Sequence, residues 1–452
     1  MDTLEVAPAP APLSARETTD VLIWETDPGA PPRWNTPVLQ PMPDLAGSLL
    51  PVAVAGRAPS SHSGRPGTAD FLYWNLADSL RRTAGFWGPL MPPPAAWNPA
   101  VRGTLIATLD AGDELNAFYD RRGVWFEHHL VSGIRVMSGE SPDVVCHEVG
   151  HAVLDALKPG LWDVMGVEPA AFHESFGDIS SILSNLMLPS LRAAVIVETN
   201  GNLAASSQLS RLAEQLGWAI RQESPNSVEP DCLRNASNNF AYQDPRTLPN
   251  SAPASMLARS PHSFSRVFTG AFLRMLAGIF QDQGSRDADA LLTAARDAGR
   301  LMVEAVRAAR AVPGFFAEVA AHVIACDQDL NGGRYNASLR RAFLAHGILS
   351  PRAATELPRA AAGIAPDLDE LTTHRQDGRE LGLDRPLTFQ LPAGSTQDGL
   401  IFVADLISRG RVITPADRQR RGLIGTATSP GRQTHEMVEQ DDELVLVRRL
   451  FL

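Results

Sequence analysis

The stretch that decides the fold is PDVVCHEVGHAVLD, residues 142–155. His147 and His151 stand four positions apart, so a helix projects both from one face, one turn above the other. Two imidazoles held that way can share one zinc ion, and Glu148, one step round the helix, can reach a water on that metal. The competing reading is a helix whose two histidines only pack or cap. A catalytic zinc wants a third protein ligand and an open position. FHESFGDIS (172–180) offers Glu174 and Asp178, again four apart on an expected helix. Glu174 would complete a His-His-Glu set, and Asp178 would accept the second ring N–H of a zinc-bound histidine and fix its tautomer. An acidic pair on a helix is ordinarily a solvated face, but Phe172, Phe176 and Ile179 surround this one. His173 is an alternative ligand. Cys146 precedes the first histidine, is turned about 100° away on a helix, and reads as packed core.

Around these two segments the composition sets limits. The chain has 452 residues, 44% hydrophobic and 20% charged, enough for a large core and more than one domain. Forty Lys and Arg against 51 Asp and Glu leave no cationic surplus for a nucleic-acid groove, so no nucleic-acid partner is expected. Three cysteines are no disulfide framework. No apolar run approaches the ~18 residues of a membrane span, so no membrane partner is expected. The first twenty residues lack the basic start and apolar core of a signal peptide. That places the chain by default in the cytoplasm, with leaderless secretion as the alternative.

Hydrophobic periodicity predicts the elements. Residues 1–19 are Ala/Pro-rich and read as disordered, VLIW (21–24) as a strand, and 25–68 as loop-rich wrapping. A helix is expected over 70–88 and strands over 103–110, 116–120 and 124–129. Further helices are expected near 142–158, 170–188, 205–222, 262–280, 285–311, 313–325 and 336–346. After a Pro/Ala/Asp-rich stretch (350–380), strands are expected at LTFQLP (387–392), LIFVADLI (400–407) and ELVLVRRLFL (443–452). The domains expected are an N-terminal extension (1–69), a β-rich N-lobe ending in the HExxH helix (70–160), a helical C-lobe (161–350), and a linker with a small β-rich appendage (351–452). DQDLNGG (327–333) alternates like a calcium loop but sets Ser338 at the twelfth position, so it reads as the turn before the last helix.

Taken together, the motifs resemble the thermolysin-like zinc metallopeptidases, a gluzincin family. PDVVCHEVGHAVLD resembles that family's active-site helix and HESFGD (173–178) its third-ligand helix. LNAFYD (115–120) is similar to its substrate-pairing edge strand, and LRNAS…YQDP (233–245) to the segment whose Arg contacts substrate. PHSFSRVFTGAFLRML (261–276) resembles its later His-bearing helix and NASLRRAFLAHGIL (336–349) its closing helix. The likeness spans roughly residues 70–350, in the family's order.

The resemblance implies an α+β, two-lobe fold with a β-rich N-lobe and a helical C-lobe. It implies one zinc ion on His147, His151 and Glu174, with Glu148 as general base toward the metal-activated water and Asp178 orienting a zinc histidine. Arg234 would hold substrate backbone near the first primed subsite, and His262 would stabilise the oxyanion. Asn116 and Ala117 would offer edge-strand hydrogen bonds to a polypeptide substrate. The implied activity is zinc-dependent endopeptidase hydrolysis of internal peptide bonds. The alternatives are a narrowly specific peptidase and an inactive gluzincin-fold protein used for binding or structure. Where the family sets a Tyr donor between the second His and the third ligand, this chain has only Trp162 to offer an N–H. MLARSP (256–261) carries no acid ahead of His262. Residues 179–200 retain only Glu198 as an acid, so calcium is not expected at the family's usual sites.

Overall fold

The computed structural model describes residues 20–60, 64–350, 371–392, 394–418 and 433–451; the Ala/Pro-rich start and residues 351–370 lie outside them. Two compact units are distinguished. One comprises Met1–Ala152, Gly177–Gly201 and Ala205–Ala236; the other comprises Val153–Phe176, Asn202–Ala204 and Ser237–Leu452.

In the first unit, β1 (Asp20–Ile23) and β2 (Val38–Pro41) form an antiparallel pair. Helix α1 (Ala69–Trp87) starts where the Thr68 hydroxyl accepts the Phe71 N–H, an N-cap that satisfies one of the helix's open donors. A four-stranded sheet follows, built from β3 (Val52–Val54), β4 (Leu105–Thr108), β5 (Ala117–Tyr119) and β6 (Val124–Phe126). Its spatial order is β3-β4-β6-β5, which leaves Ala117–Tyr119 on the edge. The strand expected over 124–129 breaks at Glu127. Beyond it, β7 (His128–Val131) turns through Ser132 and Gly133, at φ 50° and 81°, into β8 (Ile134–Met137). Positive φ at both turn residues matches the twist of a two-residue hairpin.

Helix α2 (Pro142–Leu157) opens on a proline, whose missing N–H costs nothing in the first turn, and on Ser141, whose hydroxyl accepts the Val144 N–H. Helix α3 (Val167–Asn185) is buried at every position. Both helices are buried although each carries several charged and polar side chains, and together they hold both halves of the HExxH-plus-Glu pattern. The first unit takes α2 as far as Ala152 and α3 from Gly177, and helices α4 (Pro189–Thr199) and α5 (Glu214–Glu223) complete it; Val153–Phe176 belongs to the second unit.

The second unit holds α6 (Pro261–Gln281), α7 (Ala288–Ala308), α8 (Phe315–Asn331) and α9 (Asn336–Ala345). Phe172 of α3 meets Phe268 and Phe315 edge-to-face at 5.1 and 5.0 Å, so aromatic packing anchors the first half of the third-ligand helix. The same unit contains a five-stranded sheet of β9 (Leu371–Gln376), β10 (Leu387–Pro392), β11 (Val412–Ile413), β12 (His435–Gln440) and β13 (Glu443–Arg448), in the order β9-β10-β13-β12-β11.

Three expectations fail locally. LIFVADLI is not a strand but the body of helix α10 (Thr396–Ser408), whose buried Gly399, Phe402, Val403 and Leu406 follow a helical step that a short apolar run conceals. The helix expected near 205–222 shrinks to Glu214–Glu223, because Arg211–Leu212 pair with Arg234–Asn235 and Ala213 takes a left-handed turn at φ 52°. Helix α4 had no counterpart in the periodicity reading. Asp327, Asp329 and Asn331 lie on α8 itself, which ends at Gly332 with φ 64°. Among the described residues no single helix is long and apolar enough to cross a membrane.

Candidate metal centre

His147 and His151 project from one face of α2, their rings edge-to-face with centroids 4.8 Å apart. With Glu174 of α3 they form a buried group whose ligand atoms all lie within 4.8 Å of one another. Among the described residues it is the only His/Cys/Asp/Glu group of three or more that could hold a metal ion. Atoms no farther apart than 4.8 Å share a centre within about 2.8 Å of each, so a contraction of about 0.7 Å per ligand reaches zinc bond lengths of ~2.0–2.2 Å. Two imidazoles and one carboxylate are a zinc-type donor set that leaves room for a fourth, exchangeable position. The residues present therefore fit the metal implied by the sequence.

Two glycines allow α2 and α3 to come this close. A methyl group at Gly150 would sit 2.6 Å from Ser180 Cβ and 3.0 Å from Gly177 Cα. One at Gly177 would sit 2.6 Å from Cε1 and Nδ1 of the His147 ring. Real side chains do not approach that closely, so both positions exclude a Cβ. Sequence reasoning passed over these glycines, although each lies inside a motif, as the residue before His151 and the residue before Asp178. The Ser180 hydroxyl adds a polar tie by donating to the Cys146 carbonyl at 2.8 Å.

Behind the first ligand stands Asp178, 1% exposed, accepting from His147 Nδ1–H at 3.1 Å. That bond directs the opposite nitrogen, Nε2, toward the other ligands. Arg234 completes the support. Its Nη2 donates to Asp178 Oδ1 at 2.7 Å and its Nε to Oδ2 at 3.2 Å. Burial pushes the Asp178 carboxyl up, but the Arg234 guanidinium and then His147 outweigh it and hold the group at about 2. The carboxylate thus stays ionised at any working pH and always accepts. The structure places Arg234 on this carboxylate, where the resemblance implied a contact with substrate backbone.

Glu148 is buried beside His147 on α2, 3% exposed. His262, in the first turn of α6, brings Nε2 to 3.1 Å from Glu174 Oε2 and keeps 44% of its side chain exposed. Asn116 and Ala117 lie at the open edge of the four-stranded sheet, where Asn116 O accepts the Glu127 N–H at 3.2 Å.

Two candidates fall away from the centre. His173 is fully buried and stacks on Phe451 with ring centroids 3.7 Å apart, so it packs and leaves the ligand role to Glu174. Trp162 cannot serve as a spare donor, because its only N–H is given to the Arg448 carbonyl at 3.2 Å. Cys146 is buried, as read from its helix position. Burial pushes its thiol up to about 11, and the Thr83 hydroxyl donates to its sulfur at 3.0 Å.

Compared with models of known protein families and with curated protein sequences, this chain matches none.

Proposed function

We propose that this chain is a zinc-dependent metalloendopeptidase that hydrolyses internal bonds of polypeptides in the cytoplasm. The observation that carries the reading is the buried His147–His151–Glu174 group, with Asp178 behind the first histidine and Glu148 next to it on the same helix. Zinc in that group would supply a Lewis acid that polarises the scissile carbonyl and lowers the pKa of a bound water. Glu148 takes the proton of the attacking water and delivers it to the leaving nitrogen. His262 donates toward the carbonyl oxygen as negative charge builds there. Asp178, kept ionised by Arg234, holds the His147 ring in one tautomer throughout. The Ala117–Tyr119 strand lies at the edge of its sheet, where an extended peptide can be laid alongside it, and Asn116, whose carbonyl accepts the Glu127 N–H, leads into that strand. Neither a nucleic acid nor a membrane enters this reading.

The second reading, a narrowly specific or inactive protein on the same fold, draws on one observation. Trp162, the residue that the sequence between His151 and Glu174 offers as a further N–H donor, spends its N–H on the Arg448 carbonyl. Hydrolysis of quenched casein by zinc-loaded protein beside Glu148→Gln separates the two. Cleavage by the parent and none by the variant supports the endopeptidase. Equal cleavage by both removes Glu148 from the chemistry. No cleavage by either, with one zinc bound, selects the second reading.

A further inference from the structure

Outside the metal centre, the described residues contain one buried acid whose side chain is unanswered. Glu127, between β6 and β7, is 0% exposed, and neither carboxylate oxygen has a hydrogen-bond partner. Its backbone, by contrast, is fully engaged. Its N–H faces Asn116 O at 3.2 Å and Ser138 Oγ at 2.9 Å, and its carbonyl accepts from the Ser138 N–H at 2.9 Å. The backbone that carries the buried carboxylate is therefore fixed.

The loop Asp110–Glu114 folds over that carboxylate. Ala111 donates its N–H to Phe126 O at 2.7 Å, and Gly112 O accepts the His128 N–H at 3.0 Å. Oε1 lies so close to Gly112 that a Cβ there would be 2.7 Å away. Three more acids gather round, and the nearby basic side chains already have carboxylate partners. His128 Nδ1 is 2.7 Å from Asp110 Oδ1, His129 Nδ1 is 2.7 Å from Asp113 Oδ1, and Arg135 reaches Asp110 at 3.5 Å. Burial first, then Glu114 and Asp110, push the Glu127 carboxyl up to about 7, and the opposing influence of His128 does not offset them. A buried carboxylate with no partner is strongly unfavourable unless a proton or a cation answers it.

We propose that Glu127 and the Asp110–Glu114 loop form a calcium site. The donor set is all oxygen, which suits a hard cation, and Glu127 can bind through both oxygens. No third carboxylate joins at the close spacing of the His-His-Glu group, so carbonyl oxygens and water complete the shell, both of which calcium accepts. The ion would tie the loop to the strand it precedes, since residues 110–114 lead directly into Asn116 and β5. This site does not rest on the peptidase reading, because it uses none of the zinc group.

Calorimetric titration of the zinc-loaded full chain with CaCl2, paired with thermal melts, is the test. One equivalent should bind, and a hundredfold excess over Kd should raise Tm by about 5 °C. Glu127→Gln should fold, melt at or above the calcium-free parent, and lose both signals. Glu148→Gln should keep both, whether or not it is a peptidase. No binding by the parent overturns the site and leaves Glu127 a protonated core acid. An unchanged response in Glu127→Gln overturns it equally, by placing the ion elsewhere.

Discussion

Gly177→Ala isolates the geometric requirement of the metal centre. The added methyl would lie 2.6 Å from Cε1 and Nδ1 of His147 and 2.7 Å from Nε2, against an ordinary contact of 3.4 Å or more. The ring must retreat by about 0.8 Å, four times the ~0.2 Å within which metal–ligand distances hold. The retreat also pulls Nδ1 away from Asp178, so tautomer and position fail together. Two effects on stability oppose one another. Alanine in a helix interior gains about 1 kcal/mol over glycine, while overpacking a core costs ~1–3 kcal/mol. The metal-free variant should therefore fold and lose no more than about 2 kcal/mol, yet bind zinc at least about a hundredfold more weakly. Competition against a chromogenic chelator reads the affinity, and a metal-free melt reads the fold. Zinc affinity within threefold of the parent would refute the reasoning, since the ring would then have tolerated a displacement the ligand set cannot. Gly150→Ala is the control: its methyl meets Ser180 and Gly177 rather than a ligand, so stability should fall first and zinc affinity only as the helices part.

Asp178→Asn removes the charge that Arg234 and His147 stabilise; lowering its pKa from 3.8 to about 2 corresponds to roughly 2 kcal/mol, so zinc affinity should drop ~10–100-fold by chelator competition. Asp27 and Asp143 are buried acids raised to about 7 and about 6, mainly by burial, so the native state keeps protons that the unfolded chain sheds near pH 4. Stability should therefore fall as pH rises from about 4 to about 7, by at least about 2 kcal/mol, and Asp27→Asn should flatten that slope in denaturant titrations at pH 5 and pH 8. Phe451→Ala empties the face on which His173 stacks and over which Arg448 lies at 4.0 Å; a stability loss of about 3 kcal/mol is expected by urea unfolding, with zinc affinity lowered only modestly.

How much of this was legible in the sequence depends on the range of the interactions. His147, His151, Glu174 and Asp178 could be read because a four-residue step is a local property of a helix, and both helices formed over nearly the expected spans. The pairing of Arg234 with Asp178 could not, since 56 residues separate them and a guanidinium on a carboxylate leaves no local pattern. The glycines at 150 and 177 were visible as residues but not as contacts, because what excludes a Cβ there lies on the other helix. LIFVADLI misled for a related reason. Eight residues, mostly apolar, fit a buried strand and a buried helix turn equally well, and the choice is made by what packs against Phe402 and Val403. Residues 443–448 did form the expected strand. Their function in the fold, carrying Arg448 and Phe451 to Trp162 and His173, lies in contacts about 280 residues away in the chain.

The buried acids show why carboxylic side chains at similar burial come to different ends. Asp178 lies against a guanidinium and an imidazole and is held ionised, which is the state a histidine-orienting group needs. Asp27 and Asp143 have no cation in hydrogen-bonding contact, yet every oxygen is answered. Gly29 and Gln215 donate backbone N–H groups to Asp27 Oδ1, and Ser141 donates its hydroxyl to Oδ2. Asn185 and Ser181 serve Asp143 Oδ1, and the Ala213 N–H serves Oδ2. Carboxyls served in this way by neutral donors need no ion. Glu127 has neither remedy: no guanidinium, no donor, and three acids nearby. Environments that push like groups apart in this way assign them different tasks. By that logic a cation belongs beside Glu127 and not beside Asp27, although burial drives both carboxyls to about 7.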